Sequence, residues 1–102
     1  MKNTTKYLNL VGPHVGRLRT LRGWTQELLS EKLRLSGWSV SSASLAELEM
    51  RMLPVADHHL FFLAKIFEVP IRELFPKIDP QDPNLQQTLN RFMSESSWED
   101  KG

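Results

Sequence analysis

The ionisable residues that most resemble a reactive or metal-binding cluster are Asp57-His58-His59. Histidine and aspartate bind metals and transfer protons. However, neighbouring residues of a helix point roughly 100° apart, so the two imidazoles cannot readily share one ion. The 102 residues include three histidines and no cysteine, which excludes a thiolate metal site, a cysteine nucleophile and a disulfide framework. We therefore expect no enzymatic activity, no catalytic or metal-ligating residue, no cofactor and no small-molecule ligand.

Basic residues are concentrated at the start of the chain, although the net charge is only +1. Residues 1–22 contain no acidic residue, whereas residues 77–102 carry three basic and five acidic residues. A basic N-terminal face fits a nucleic-acid partner. A solvated surface explains the same counts equally well. The basic residues of the first segment are Lys2, Lys6, Arg17, Arg19 and Arg22.

The length and hydropathy of the chain are those of one small water-soluble domain. Apolar residues make up 40% of the sequence and charged residues 25%. No apolar run approaches the roughly 20 residues that cross a bilayer. The first ten residues lack the apolar stretch of a signal peptide. These features predict a cytoplasmic protein without a membrane partner.

The elements that position any functional residue are predicted to be helices. The sequence contains helix start and stop signals, and alternating β-branched runs are absent. Proline opens and glycine closes the first helix, and hydroxyl residues stand where the next two helices would be capped. The sequence predicts an all-α fold with five helices. The third helix is expected to bury Met52 and to end at Pro54. The five helices are expected to begin at Gly12-Pro13, after Thr25, among Ser39–Ser42, at 57 and at Pro70.

Apolar residues at helical spacing predict one core within residues 12–76. Residues 1–11 form an N-terminal arm in this interpretation, and residues 77–102 form a polar extension that contains one short helix and then a disordered end. The helix of the extension would carry Leu85, Leu89 and Phe92, with Asp82 as its cap. The predicted inward positions include Val15, Leu18, Leu21, Leu28, Leu29, Leu33, Leu35, Leu45, Leu48, Leu60, Phe61, Leu63, Ala64 and Phe67.

Three stretches resemble the helix-turn-helix domain of the XRE family, which has the lambda-repressor-like or Cro/CI-type fold. Gly23–Glu27 followed by 28–33 resembles the opening of the motif, and 45–49 resembles the end of its recognition helix. Residues 63–66, 69 and 73–75 resemble the closing helices. The resemblance covers about residues 10–76. A longer turn with Gly37-Trp38 is similar to the long-turn subgroup of this family.

The resemblance implies a DNA-binding site on the second and third helices. Gln26 matches a family position that contacts a DNA phosphate, and the third helix would enter the major groove. Arg19 and Glu49 match positions that form an ion pair, although they could also be separate surface charges. The serines of the third helix could contact bases or act only as caps. The expected DNA-binding residues are Thr25, Gln26, Ser41, Ser42, Ala43, Ser44, Glu47 and Arg51.

Two functions follow from this interpretation. The first is a sequence-specific transcriptional regulator, prokaryotic or phage-like, that binds double-stranded DNA and acts as a homodimer. The second is a degenerate helix-turn-helix that serves as a protein-interaction adaptor or antitoxin-like module. The lack of Lys and Arg from 36 to 48 favours the second. Thr25, Gln26 and the basic N-terminal segment favour the first.

Overall fold

Residues 6–94, which the computed structural model describes, form an all-α fold and contain no β-strand. The all-α prediction is therefore confirmed. The fifth predicted helix is a single 3₁₀ turn, and the fifth α-helix lies in the C-terminal extension. The disordered end expected after it lies outside the described residues. The elements are α1 (Gly12–Leu21), α2 (Gln26–Ser36), α3 (Ser42–Glu49), α4 (Asp57–Phe67), the 3₁₀ helix (Ile71–Leu74) and α5 (Leu85–Met93).

Local capping chemistry sets the limits of α2 and the start of α3. The Thr25 hydroxyl accepts the Leu28 N–H at 3.0 Å, which satisfies one of the free amides at the start of α2. Gly37 follows α2 with a φ of 120°, a conformation that favours glycine. Ser41 caps α3 by accepting the Ser44 N–H at 3.0 Å. Thr25, Gly37 and Ser41 therefore set where α2 begins, where it ends and where α3 begins.

The core lies between α1, α2, α3 and α4, and it is closed by the 3₁₀ helix. Leu18 and Leu60 were expected in the core and are only partly buried at its edge. Val11 and Leu74 were not expected there but are buried because the arm and the 3₁₀ helix cover its two ends. The fully enclosed side chains include Val15, Leu29, Leu33, Leu45, Leu48, Leu63 and Phe67.

Four residues predicted to face inward are instead exposed. Leu21, Leu35 and Phe61 keep 73%, 71% and 66% of their surface, and Leu28 keeps 41%. Other residues occupy the core side of each of these helices, and an α-helix presents only one stripe to the core. The prediction was therefore wrong for these four positions.

The third helix is also shorter than predicted. It ends at Glu49, because Arg51 adopts a left-handed conformation with φ 66° and turns the chain away. The Met52 N–H then bonds back to the Glu47 carbonyl at 2.8 Å, a typical helix-terminating contact. Met52 consequently lies outside the helix and is 47% exposed, so its predicted burial was wrong.

Helices α1 and α3 approach each other very closely at two glycines. A methyl group on Gly12 would overlap the backbone carbonyl oxygen of Leu48. A methyl group on Gly16 would lie 3.2 Å from a side-chain oxygen of Glu49. Small residues at these positions allow the first helix to pack directly on the end of α3.

None of the helices in the part of the chain from 6 to 94 has the length and apolar character that a bilayer crossing requires.

Candidate nucleic-acid interface

The start of α2 is joined to the end of α3 through the carboxylate of Glu49. Arg19 Nε donates to Glu49 Oε2 at 2.7 Å, and Arg19 Nη2 donates to Oε1 at 3.0 Å. Gln26 Nε2 donates to the same Oε1 at 3.1 Å. The ion pair expected from the family resemblance is therefore present, and it includes Gln26 as a third member.

Arg19 also holds the turn between α1 and α2. Its Nη1 donates to the Trp24 carbonyl at 2.7 Å, so one guanidinium contacts both the α1–α2 turn and the end of α3. The Arg19 and Glu49 side chains are 18% and 11% exposed. The hydrogen bond to Glu49 raises the pKa of Arg19, which keeps its charge in this partly buried place. The network fixes the angle between α1, α2 and α3.

We expect Arg19→Ala to destabilise the fold, because it leaves the Glu49 carboxylate partly buried without its cation. Glu49→Gln in the Arg19→Ala background should recover part of the loss. A double-mutant cycle in urea should give a coupling energy of about 1–3 kcal/mol. If the effects of the two single substitutions simply add, the two charges act independently.

The first turn of α3 presents small polar side chains to solvent. Ser41 and Ala43 are exposed, and Ser42 and Ser44 are half-buried. The Ser41 hydroxyl also donates to the Ser44 hydroxyl at 3.1 Å, so both serines take part in the N-terminal cap of α3. Glu47 is exposed one turn further along. The predicted contact residues of α3 are thus accessible in its first two turns, and α3 carries no positively charged side chain.

The long turn before α3 is held by two contacts. Ser30 donates from α2 to the Val40 carbonyl at 2.6 Å. The Trp38 ring stacks on the His59 imidazole of α4, with 4.0 Å between ring centroids and an angle of 8°. Trp38 therefore has a structural role, and the turn delivers Ser41 to the start of α3 in a fixed position.

Stability should decrease between about pH 7.5 and about pH 5.5. Burial lowers the pKa of His59 below its ordinary 6.5, and His58 lowers it further. Burial, and then Arg17, lower the pKa of His14 in the same direction. Both imidazoles bind protons more readily in the unfolded chain, so acid favours unfolding as pH falls below 6.5. The carboxylates with lowered pKa, Asp82 and Glu31, contribute only at lower pH.

Urea unfolding at the two pH values measures this effect. His59→Gln and His14→Gln should each reduce the loss of stability, and the double variant should show the smallest loss. An equal loss in the double variant and the parent would contradict the assignment to these histidines.

Arg51 does not lie where the sequence placed it. It is 7% exposed, and its Nε donates to the Asn9 carbonyl at 2.9 Å. Its Nη2 donates to the Phe92 carbonyl, and its guanidinium lies 4.1 Å from the centre of the Tyr7 ring. The prediction that Arg51 contacts a DNA phosphate is corrected, because the guanidinium is used inside the protein to join the arm to α5.

Asn9 is a structural residue that the sequence interpretation missed. Its Oδ1 accepts the Gly12 N–H at 2.8 Å at the start of α1. Its Nδ2 donates to the carbonyl of Leu48, in the last turn of α3, at 3.1 Å and to the carbonyl of Leu53, after α3, at 2.8 Å. An asparagine three residues before a glycine-proline helix start is a local capping signal. Its bonds to the two distant carbonyls cannot be predicted from a local sequence pattern.

Asp57 and His58 are neighbours at the start of α4. Asp57 Oδ1 and His58 Nδ1 are 3.8 Å apart, and both side chains are largely exposed. Within residues 6–94 there is no group of three or more histidine or acidic side chains that could hold a metal ion.

No family model, curated protein or solved structure matches this chain. The likeness to the XRE family therefore stays a prediction that depends on the residues given above.

Proposed function

We propose that this chain is a sequence-specific DNA-binding regulator of the XRE helix-turn-helix type, which acts on double-stranded DNA in the cytoplasm. The observation that carries the proposal is the exposed N-terminal turn of α3, held at a fixed angle by the Arg19–Glu49–Gln26 network. The N-terminal turn of a recognition helix is the part that contacts base edges in proteins of this architecture.

The chemistry of α3 allows only some base contacts. Ser42 and Ser44 offer hydroxyls, Ala43 offers a methyl group for thymine, and Glu47 can accept from a cytosine amino group. The common paired contact of arginine with guanine cannot be made, because α3 has no basic residue. We therefore expect modest sequence preference and weak binding by a monomer.

Phosphate contacts must come from outside α3. The Gln26 side-chain N–H₂ already donates to Glu49, so the free backbone amides of the first turn of α2 are the better donors. Lys6 is exposed and can add an electrostatic contact. Binding that depends on few cations should have a shallow dependence on salt.

The proposal is tested by selection of the purified chain on a random duplex library, followed by titration of the enriched sequence. Ala43→Glu adds a carboxylate to the exposed turn of α3, where an acidic residue suits the helix dipole, so the fold should persist. We expect at least a tenfold loss of affinity. Gln87→Glu adds the same charge to exposed α5 and should bind like the parent. If both variants bind equally well, α3 does not enter the groove.

A second candidate is a protein-interaction adaptor or antitoxin-like module. The burial of Arg51 favours it, because this removes the cation next to α3 and leaves Glu47 exposed there. No enriched sequence at low salt would support this function and oppose the first.

We also propose that the chain acts as a homodimer, because one such module reads only a short half-site. No residue of α5 is fully buried, so its apolar side chains remain partly available to a second copy. Ending the chain after Lys77 should reduce self-association in sedimentation. An unchanged sedimentation profile would remove α5 from the dimer contact.

A further inference from the structure

A basic groove runs between α1 and the segment that follows the 3₁₀ helix. We define it by three cations, Arg17, Arg72 and Lys77, and by an apolar floor that includes Phe75 and Ile78. All three cations are exposed, and none has a hydrogen-bond or ion-pair partner among residues 6–94. Unpaired cations beside apolar surface favour an acidic partner that also carries an aromatic side chain.

The groove lies on the side of α1 that is turned away from α3. Gly12 and Gly16 face α3, as their contacts with its last residues show. At about 100° per residue, His14 of the groove is roughly 160–200° around α1 from these glycines. Arg17 is roughly 100–140° away from them. The groove therefore lies on a different face of α1 from the one that packs on α3.

The chain itself contains a segment with the complementary chemistry. Residues 95–102, which lie outside the described residues, include Glu95, Glu99 and Asp100 with one basic residue, Lys101. Trp98 stands among the acids. The net charge of −2 matches the excess of two positive charges in the groove, where Glu73 is the single acidic lining residue.

The geometry of the described residues brings this segment near the groove. Met93, at the end of α5, and Phe75 line the same apolar depression on the protein surface. Phe75 also lines the basic groove, so the depression that Met93 lines and the groove adjoin at this side chain. Eight residues span up to about 26–29 Å when extended, which is enough to pass Phe75 and follow a groove.

We propose that residues 95–102 dock into the basic groove of their own chain, with the carboxylates facing Arg17, Arg72 and Lys77 and with Trp98 against the apolar floor. The contact ties the C-terminal end of α5 to α1. It adds an attachment to a helix that has no fully buried residue of its own.

A nitroxide label tests this placement directly, because the chain has no cysteine and Ser97→Cys creates a single labelling site. The full chain is labelled with ¹⁵N and is free of DNA. Residues 6–8 and 91–96 adjoin the label whether or not the segment docks, so they are left out of the comparison. Among the other residues, we expect the amide signals of 14–17 and 72–78 to be weakened most. The triple variant Arg17→Gln, Arg72→Gln, Lys77→Gln should lose this selectivity. Lys65→Gln, which removes an exposed cation of α4, should keep it. About 1 M salt should also weaken the effect, since exposed charges are screened.

The alternative outcomes overturn the proposal. If the amide signals are weakened uniformly, or most strongly at Ser41–Ser44 of α3, the segment does not dock in the groove. If a labelled chain without ¹⁵N weakens the same signals in an unlabelled ¹⁵N chain to the same degree, the contact is between copies. The experiment contains no DNA, so failure of the proposed DNA binding leaves its result unaffected.

Discussion

Replacing Leu48 by alanine is expected to lower the free energy of unfolding by about 2–5 kcal/mol. Leu48 is fully buried, and it lies in the part of α3 that packs against α1. Its removal loses transfer free energy and leaves a cavity among rigid helices. The change should appear as a lower denaturation midpoint in urea with an unchanged slope.

Leu35→Ala is the matched control for this prediction. The same chemical change on the exposed side of α2 removes a side chain that is 71% exposed. It should cost less than about 0.5 kcal/mol, as surface substitutions usually do. A loss below about 1 kcal/mol for Leu48→Ala would contradict its assignment to the core.

Gly12→Ala is expected to destabilise the protein by about 1–3 kcal/mol, although glycine to alanine usually favours a helix. The added methyl group would overlap the Leu48 carbonyl oxygen, which is backbone and cannot rotate away. Helices α1 and α3 would have to separate, and the Asn9 bonds at this junction would lengthen with them.

Gly16→Ala provides the comparison one helical turn later. Its methyl group would meet the Glu49 side chain, which can shift by a few tenths of an ångström. The gain in helix propensity should therefore offset most of the cost. Equal stability of the two variants in urea would show that the junction at Gly12 is not tightly packed.

The limits of several helices could be predicted because they depend on nearby residues. Thr25 and Gly37 act within one turn of α2, and the structure uses both as expected. Asp57 and Phe67 bound α4 where the apolar spacing placed it. Inward faces were harder to assign at Leu35 and Phe61, because an apolar side chain next to a core position satisfies the same pattern.

The candidate site could be predicted only in part. Arg19 and Glu49 came from the resemblance, since residues 30 positions apart carry no local signal of pairing. Arg51 looked like a surface cation because its chemistry suits phosphate. Its left-handed backbone and its contacts with Asn9 and Phe92 depend on the folded arm and α5, and no short-range pattern encodes them.

The joining of the arm to α5 has a mechanical consequence. The Tyr7 N–H bonds to the Met93 carbonyl at 2.8 Å, and Lys6 and Ser94 form an antiparallel bridge, so both ends of the described chain are side by side. A stretching force applied at Lys6 and Ser94 would load this bridge before any core helix. Helix α5 would peel away first, since nothing in it is fully buried, and the four-helix core would carry tension only afterwards. The same proximity would let a short linker join residues 94 and 6 in a circularly permuted chain opened at an exposed turn.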